Sequence, residues 1–204
     1  MRAWVACIGL WVGAALADPV QELSQRLQSF QSLQADFVQL TRDAAGRDVQ
    51  SIPGQLALAR PNRLFWQTSD PIPQQIVSDG QSLWTYDIDL EQVTRDPVSL
   101  LDDSPAALLL NLNTQDLAER FEVTQTRTNN QQTVFQLRPL EDSLYQLLVI
   151  EFVGDMPRVL GVVDSLDQQT RITLSGVRLN QAIDPERFQF VPPEGIDLLD
   201  NIGG

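Results

Sequence analysis

The chain has 204 residues, 14 basic against 27 acidic, for a formal net charge of −13, and it contains no histidine. Every basic residue is an arginine, and the single cysteine, Cys7, lies in an apolar N-terminal stretch. Beyond that stretch, Ser-His and Cys-His dyads, Schiff-base lysines, thiol redox chemistry, the usual zinc sites and the P-loop lysine are excluded, which leaves carboxylates, hydroxyls, tyrosine and arginine for any chemistry.

In chain order, Met1-Arg2 precedes an apolar run from Ala3 to Leu16, and Ala15-Leu16-Ala17 has the small-x-small pattern of a signal-peptidase site. Residues 1–17 therefore read as a cleaved signal peptide and 18–204 as the exported domain. A membrane anchor needs roughly 20 apolar residues, and Asp18 and Pro19 end this run too early, so no stable membrane insertion is expected. A lipoprotein would carry a cysteine just after the cleavage site, and Cys7 lies upstream of it. Removal of Arg2 makes the mature chain more acidic still, and such a surface repels phosphate backbones, so nucleic acid is excluded as a partner.

From Val20 to Leu33 the apolar residues Val20, Leu23, Leu27, Phe30 and Leu33 recur at spacings of three and four, which predicts an amphipathic helix. Asp18 can cap it, and Pro19 suits its first turn. The period then changes to two. Leu56 and Leu58 alternate with Gln55, Ala57 and Ala59, and Leu64 and Trp66 alternate with Arg63, Phe65 and Gln67. Asp79-Gly80 between Ile76-Val77 and Leu83-Trp84-Thr85-Tyr86 is a hairpin signal. Further β-prone runs follow at Phe121 to Thr126, Thr133 to Leu137, Tyr145 to Phe152, Arg158 to Val163, Thr170 to Leu174 and Gly176 to Leu179. Many short strands at such spacing predict one antiparallel sheet, curled or closed, in a single domain. One segment breaks the pattern. Pro97 to Leu112 reads as two short helices, each opened by a proline, with Ser104 as a cap, and it is apolar enough that it must cover something apolar.

Asp87, Asp89 and Glu91 alternate as if along a strand face, but an EF-hand would need glycine where Gln92 stands, and a solvated face is the plainer reading. Asp102-Asp103 are sequence neighbours that point in different directions, so they do not make the facing carboxylate pair of a glycosidase. Arg60 continues the parity of Leu56 and Leu58. Either its guanidinium points to the apolar side, where its five N–H donors can tie down carbonyls at a helix end, or Pro61 ends the strand and turns it to solvent. Leu64, Trp66, Trp84 and Tyr86 are core or ligand pocket. Two helical elements over the concave side of a curled sheet favour a lidded pocket for an apolar ligand.

Several motifs resemble the LolA family of periplasmic outer-membrane lipoprotein carriers: Gly54-Gln55, then Arg60-Pro61-Asn62 and Trp66; Val77-Ser78-Asp79-Gly80, then Leu83-Trp84 and Tyr86; Glu91-Gln92 before Thr94; and Phe188 to Gly195. The N-terminal helix with Leu23, Arg26, Leu27, Ala35 and Phe37 also fits. The resemblance implies a mainly β fold with helices, an open antiparallel β-barrel of about eleven strands covered by a helical lid. It implies an interior for acyl chains that takes in Leu27, Leu64 and Trp66, next to Leu56 and Leu58 on the same apolar face, with lid residues Leu108 and Leu109. Arg60 would hydrogen-bond lid backbone in the closed state. It further implies a monomeric periplasmic chaperone, not an enzyme, without cofactor or metal, that takes triacylated lipoproteins from the inner-membrane LolCDE complex to the outer-membrane receptor LolB. The missing cysteine argues against the receptor paralogue itself. The alternative is a periplasmic lipid- or lipoprotein-sensing regulator built on the same barrel.

Overall fold

The structure, a computed structural model, describes residues 18–103, 109, 114–128 and 131–202. Helix α1 (Pro19–Gln28) starts where expected: the Asp18 carboxylate accepts the Val20 N–H, and Pro19 occupies the first turn. It stops earlier than the apolar spacing suggests. Ser29 caps its end, and Phe30 and Leu33 continue the buried row from the following loop and strand. The pattern misled because Leu33 keeps facing the same core after the backbone has become extended.

Twelve strands form one sheet in the order β12-β6-β5-β4-β3-β2-β1-β11-β10-β9-β8-β7. They are β1 (Ser32–Arg42), β2 (Asp48–Ala59), β3 (Arg63–Thr68), β4 (Gln74–Asp79), β5 (Ser82–Asp87), β6 (Gln92–Pro97), β7 (Phe121–Arg127), β8 (Gln132–Pro139), β9 (Tyr145–Val153), β10 (Met156–Asp164), β11 (Gln169–Leu179) and β12 (Asp197–Asp200). Only β12 pairs in parallel, along β6. The other neighbours are antiparallel, and β1 joins the two halves by pairing with β2 and β11. A 3₁₀ helix (Val98–Asp103) fills the first of the two expected helical positions. In the second, Leu109 is helical, and the rest lies outside the described residues. Helix α2 (Thr114–Arg120) follows.

The sheet curls because its ladder is locally uneven. Opposite Ala35 of β1, strand β11 carries two residues, Gly176 and Val177, and Gly176 has a φ of 59°. That left-handed position suits glycine, and a bulge of this kind increases twist. Inside the curl lies the main core: Leu23 and Leu27 of α1, Phe37, Leu56 and Leu58 of the first strands, and Phe135, Ile150 and Phe152 of the far half. Phe37 stacks on Trp66 at 4.0 Å between ring centres. The ring of Phe37 also crosses Gly54, its partner across the ladder, so that a side chain there would overlap both the ring and the Gln67 carbonyl. Gly54 is thus fixed by close approach.

A second, smaller core covers the outer face of β2 to β5. Ala57, Phe65, Val77 and Phe188 are buried there, with Trp84 and Phe190 packed against them. The C-terminal segment makes this layer through the 3₁₀ turn Pro185–Phe188, and Arg187 lies 4.6 Å from the Phe65 ring centre. Strand β2 is therefore buried on both faces, which explains its unbroken run of Leu56, Ala57 and Leu58.

Strand direction gives the curled sheet two distinct ends. One holds the turns at Arg60–Asn62 and Asp79–Gln81, the exit of α1, and Val153–Met156 between β9 and β10. The other holds the turns at Asp43–Arg47, Ser69–Pro73, Ile88–Glu91, Leu140–Leu144 and Ser165–Gln168. Helix α1 crosses the first end. Arg26 donates to the Gly154 carbonyl at 2.6 Å, and Glu22 accepts from Gln125 and Arg127 of the edge strand β7.

Candidate functional site

Arg60 follows directly on the last residue of β2, and its side chain turns inward. Its Nη2 donates to the carbonyls of Leu27 at 2.9 Å and Leu109 at 3.1 Å, and its Nε donates to the Phe30 carbonyl at 3.2 Å. The guanidinium lies 5.9 Å from the Phe30 ring centre. Leu27 belongs to the last turn of α1, whose carbonyls have no partner inside the helix. Arg60 thus ties the exit of α1 to the segment that carries Leu109. Burial pulls its ionisation below the ordinary guanidinium value, and it remains a cation.

The turn behind Arg60 is itself pinned. The Arg60 N–H donates to the Gln31 carbonyl at 3.0 Å. Ser78, fully buried, donates its hydroxyl to the Asn62 carbonyl at 2.6 Å and accepts the Gly80 N–H. Asn180 accepts from the Gln31 N–H at 2.6 Å and donates to the Ser29 carbonyl at 3.1 Å. The Asp79-Gly80 hairpin stands where its signal placed it, built as an Asx turn in which Asp79 accepts the N–H groups of Gln81 and Ser82. Ser78 therefore couples two of the motifs that stand out in the sequence, a role their order alone did not reveal.

Above this end lies a cavity of about 440 Å³. Its apolar wall comes from Leu64, Trp66, Ile76, Leu83, Val162 and Ile172, and Leu101 of the 3₁₀ helix reaches into it. Leu64 and Trp66 thus line the cavity as expected. Leu27, Leu56 and Leu58 are at most 1% exposed and sit in the sealed core next to it, beneath α1. Leu109 is fully buried in the same core, and Leu108 lies outside the described residues. Ile76, Leu83, Val162, Ile172 and Leu101 were not read as cavity residues from the sequence. Counting every second residue inward on each strand would have found the first four.

The choice left open for Trp84 and Tyr86 falls to packing, and neither lines the cavity. They point outward, with ring centres 5.6 and 6.0 Å from that of Phe190, while Leu83 and Thr85 of the same strand point inward. A shift of one residue exchanges the faces of a strand, and here both faces carry large residues because both are covered. Asp89 and Glu91 lie in a turn and not on a strand. Only Asp87 belongs to β5, and its carboxylate accepts the Leu90 N–H to shape that turn. Among the described residues no cluster of His, Cys, Asp or Glu could hold a metal ion.

A curled antiparallel sheet with an apolar cavity, crossed at one end by a helix and met by Leu101 of a 3₁₀ helix, defines a carrier of an apolar ligand. The chain belongs to the LolA family, whose model, described as outer membrane lipoprotein carrier protein LolA, matches residues 28–191. It is similar to the outer-membrane lipoprotein carrier protein of Alcanivorax borkumensis, with 35% identity over 93% of this chain and 91% of the relative. To that of Hahella chejuensis it is 37% identical over 91% and 90%. Among solved structures, an uncharacterized conserved protein from Thermus thermophilus shares the fold, with a TM-score of 0.57 at 9% identity over 90% of this chain and 99% of that one. No helix among the described residues is long and apolar enough to cross a membrane.

Proposed function

We propose that this protein is a periplasmic carrier that shields the acyl chains of lipoproteins between the inner and outer membranes. The observation that carries this reading is the apolar cavity into which Leu101 reaches, beside a core where Arg60 holds the Leu109 carbonyl. An acyl chain of about 16 carbons left in water costs roughly 12 kcal/mol, at about 0.8 kcal/mol per methylene, so transit without a carrier is prohibitive. If a methylene takes about the 30 Å³ share of a liquid water, 440 Å³ holds on the order of fifteen carbons, about one chain. An anchor with three chains must therefore push the overlying segment away. Cargo competes with the contacts of Leu101 and Leu109 and with the Arg60 to Leu109 bond, which keeps open and closed states within a few kcal/mol of each other and makes release possible.

Residues 1–17 direct export and are removed. The capping of α1 by Asp18 supports a mature chain that starts there, and the mass of the secreted protein tests it. Cargo arrives from the LolCDE transporter and leaves to LolB, as the family resemblance implies, and the carrier supplies no cofactor and no catalysis. The turns at the open end carry exposed Ile72, Leu90, Leu144 and Leu166, which suits that end for hand-over.

The test is transfer of a labelled lipoprotein to purified receptor. Arg60→Leu removes the tether to Leu109, so cargo accumulates on the variant and hand-over slows. Equal transfer rates for variant and wild type would overturn the latch. Mass spectrometry of the periplasmic protein decides against the sensing alternative if lipid-modified polypeptide co-purifies.

A further inference from the structure

The inward rows of the strands change character at one level. On β4, β5, β10 and β11 the cavity wall passes from Ile76 to Gln74, Leu83 to Thr85, Val162 to Asp164 and Ile172 to Thr170, and on β1 Gln39 follows Phe37. Each step runs toward the same end, where Gln168 in an exposed turn completes the ring. Among the described residues no fully buried side-chain nitrogen or oxygen lacks a partner, yet the side-chain amides of Gln39, Gln74 and Gln168 and the hydroxyls of Thr85 and Thr170 take part in no hydrogen bond. Among the described residues no arginine lines the cavity, and the only charge on its wall is the Asp164 carboxylate, which accepts from the Leu166 and Gln168 N–H groups. Residues 104–113 contain no basic residue either.

We infer that this ring selects the cargo: its amides and hydroxyls hydrogen-bond the carbonyl linkages and first peptide units where acyl chains join a polypeptide, while phospholipids with an anionic headgroup are refused. This rests on the carrier reading and adds to it the chemistry that distinguishes one acylated molecule from another. A glutamine offers both an acceptor and donors, so it matches an ester or amide carbonyl as well as a peptide N–H. A ligand that covers the ring with hydrocarbon alone leaves those groups unmet, at a cost of roughly fivefold or more in affinity for each. A phosphate is held best by arginine or lysine, and here it would meet a carboxylate instead.

The experiment titrates the mature protein with three fluorescent probes: a dipalmitoylated lipopeptide, phosphatidylglycerol with the same chains, and a pyrene-labelled alkane. The wild type is expected to bind the lipopeptide at least tenfold more tightly than phosphatidylglycerol. Gln39→Leu/Gln74→Leu should weaken lipopeptide binding about tenfold, the equivalent of two neutral hydrogen bonds, while alkane binding, which meets a more apolar wall, stays as tight or tightens. Gln168→Arg, at an exposed turn position that the fold tolerates, should raise phosphatidylglycerol binding about tenfold. Unchanged lipopeptide binding in the double variant, or equal loss for lipopeptide and alkane, would overturn the ring. A wild type that binds the lipopeptide while the variants behave as it does refutes the ring and spares the carrier, whereas a wild type that binds no lipopeptide refutes both.

Discussion

The two ends of the barrel contain similar polar side chains put to opposite uses. At the end crossed by α1, Arg60, Ser78 and Asn180 each bond at least one backbone carbonyl, and together they fasten the exits of α1 and β2 and the β4–β5 hairpin into one unit. At the other end the inward Gln39, Gln74 and Thr85 make no side-chain hydrogen bond within the described protein. A buried polar group is costly unless partnered, so saturation at one end makes a rigid floor, and open valences at the other are left for a ligand. Residue type alone therefore does not separate fastening from unpartnered polar groups in this fold, and neither does position alone, since Thr68 at the far end donates to the Ile72 carbonyl and accepts the Gln74 N–H.

The boundary between the ends is the Phe37 ring lying across Gly54 and against Trp66, so damage there reaches both ends at once. Gly54→Val would drive a side chain into the ring and the Gln67 carbonyl, both 2.3 Å from where its Cβ would stand. Overpacking of this severity costs at least about 3 kcal/mol, and here the neighbour is a backbone atom that cannot yield. The expected outcome is failure to accumulate folded protein, read by circular dichroism and thermal melting. A variant that melts within a few degrees of wild type would show that the two ends are not divided at this point.

The outer core belongs to neither end. Phe188→Ala empties the middle of the outer core and should cost about 3 kcal/mol, since a buried phenylalanine typically loses about 3–5 kcal/mol on truncation. Because the cavity wall has no part of that layer, alkane binding at temperatures well below the melting point should stay within twofold of wild type. A large loss of binding would mean that the outer layer, and not the floor at Phe37, sets the shape of the cavity.

The sequence made the architecture readable and the facing ambiguous, and the reason is physical. Strand alternation and the proline-opened helical segment are local signals, so the antiparallel sheet, the first helix and the inward course of Arg60 could be anticipated. The outer layer made by Phe188 and Phe190 is contributed from about a hundred residues away, so local alternation left open whether Trp84 and Tyr86 pack in a core or line a pocket. The alternation of Phe188 and Phe190 around Gln189 was the available sign that a second apolar face needed covering. The latch was legible in its donor and only partly in its acceptors. Two of the carbonyls that Arg60 holds, those of Leu27 and Phe30, belong to the exit of α1, and no sequence spacing links position 60 to positions 27 and 30.

Ser78→Ala tests whether the closed end acts as a unit. It deletes the donor to the Asn62 carbonyl and leaves that group without its buried partner, at a cost of about 1–2 kcal/mol. The turn that aims Arg60 loosens, so hand-over to receptor should be impaired in the same direction as in Arg60→Leu but less strongly. Binding of the alkane probe at the far end should not change. Loss of stability with unaltered hand-over would separate the turn from the latch.

The smallest effect concerns Glu22, which holds α1 to the edge strand β7 and marks the far limit of the closed end. Burial is the largest single influence on its carboxyl and pushes its pKa up, but the hydrogen bonds from Gln125, Arg26 and Arg127 together outweigh it and leave the group below the ordinary glutamate value of 4.5. A carboxylate whose ionisation is easier in the folded chain than in the unfolded one stabilises the fold at every pH above that ordinary value, and the contribution fades as pH falls through the depressed value. Arg127 is 62% exposed, so the pairing is screened, and Glu22→Gln should cost less than about 1 kcal/mol at neutral pH. The gap between wild type and Glu22→Gln should therefore be constant from about pH 8 down to about pH 5.5 and close below the ordinary glutamate value, because there the wild-type carboxyl is protonated as well. Melting temperatures of the two proteins across that range measure it. A gap that widens as pH falls would mean that the carboxylate opposes the fold, and that α1 is held over the closed end by its apolar face alone.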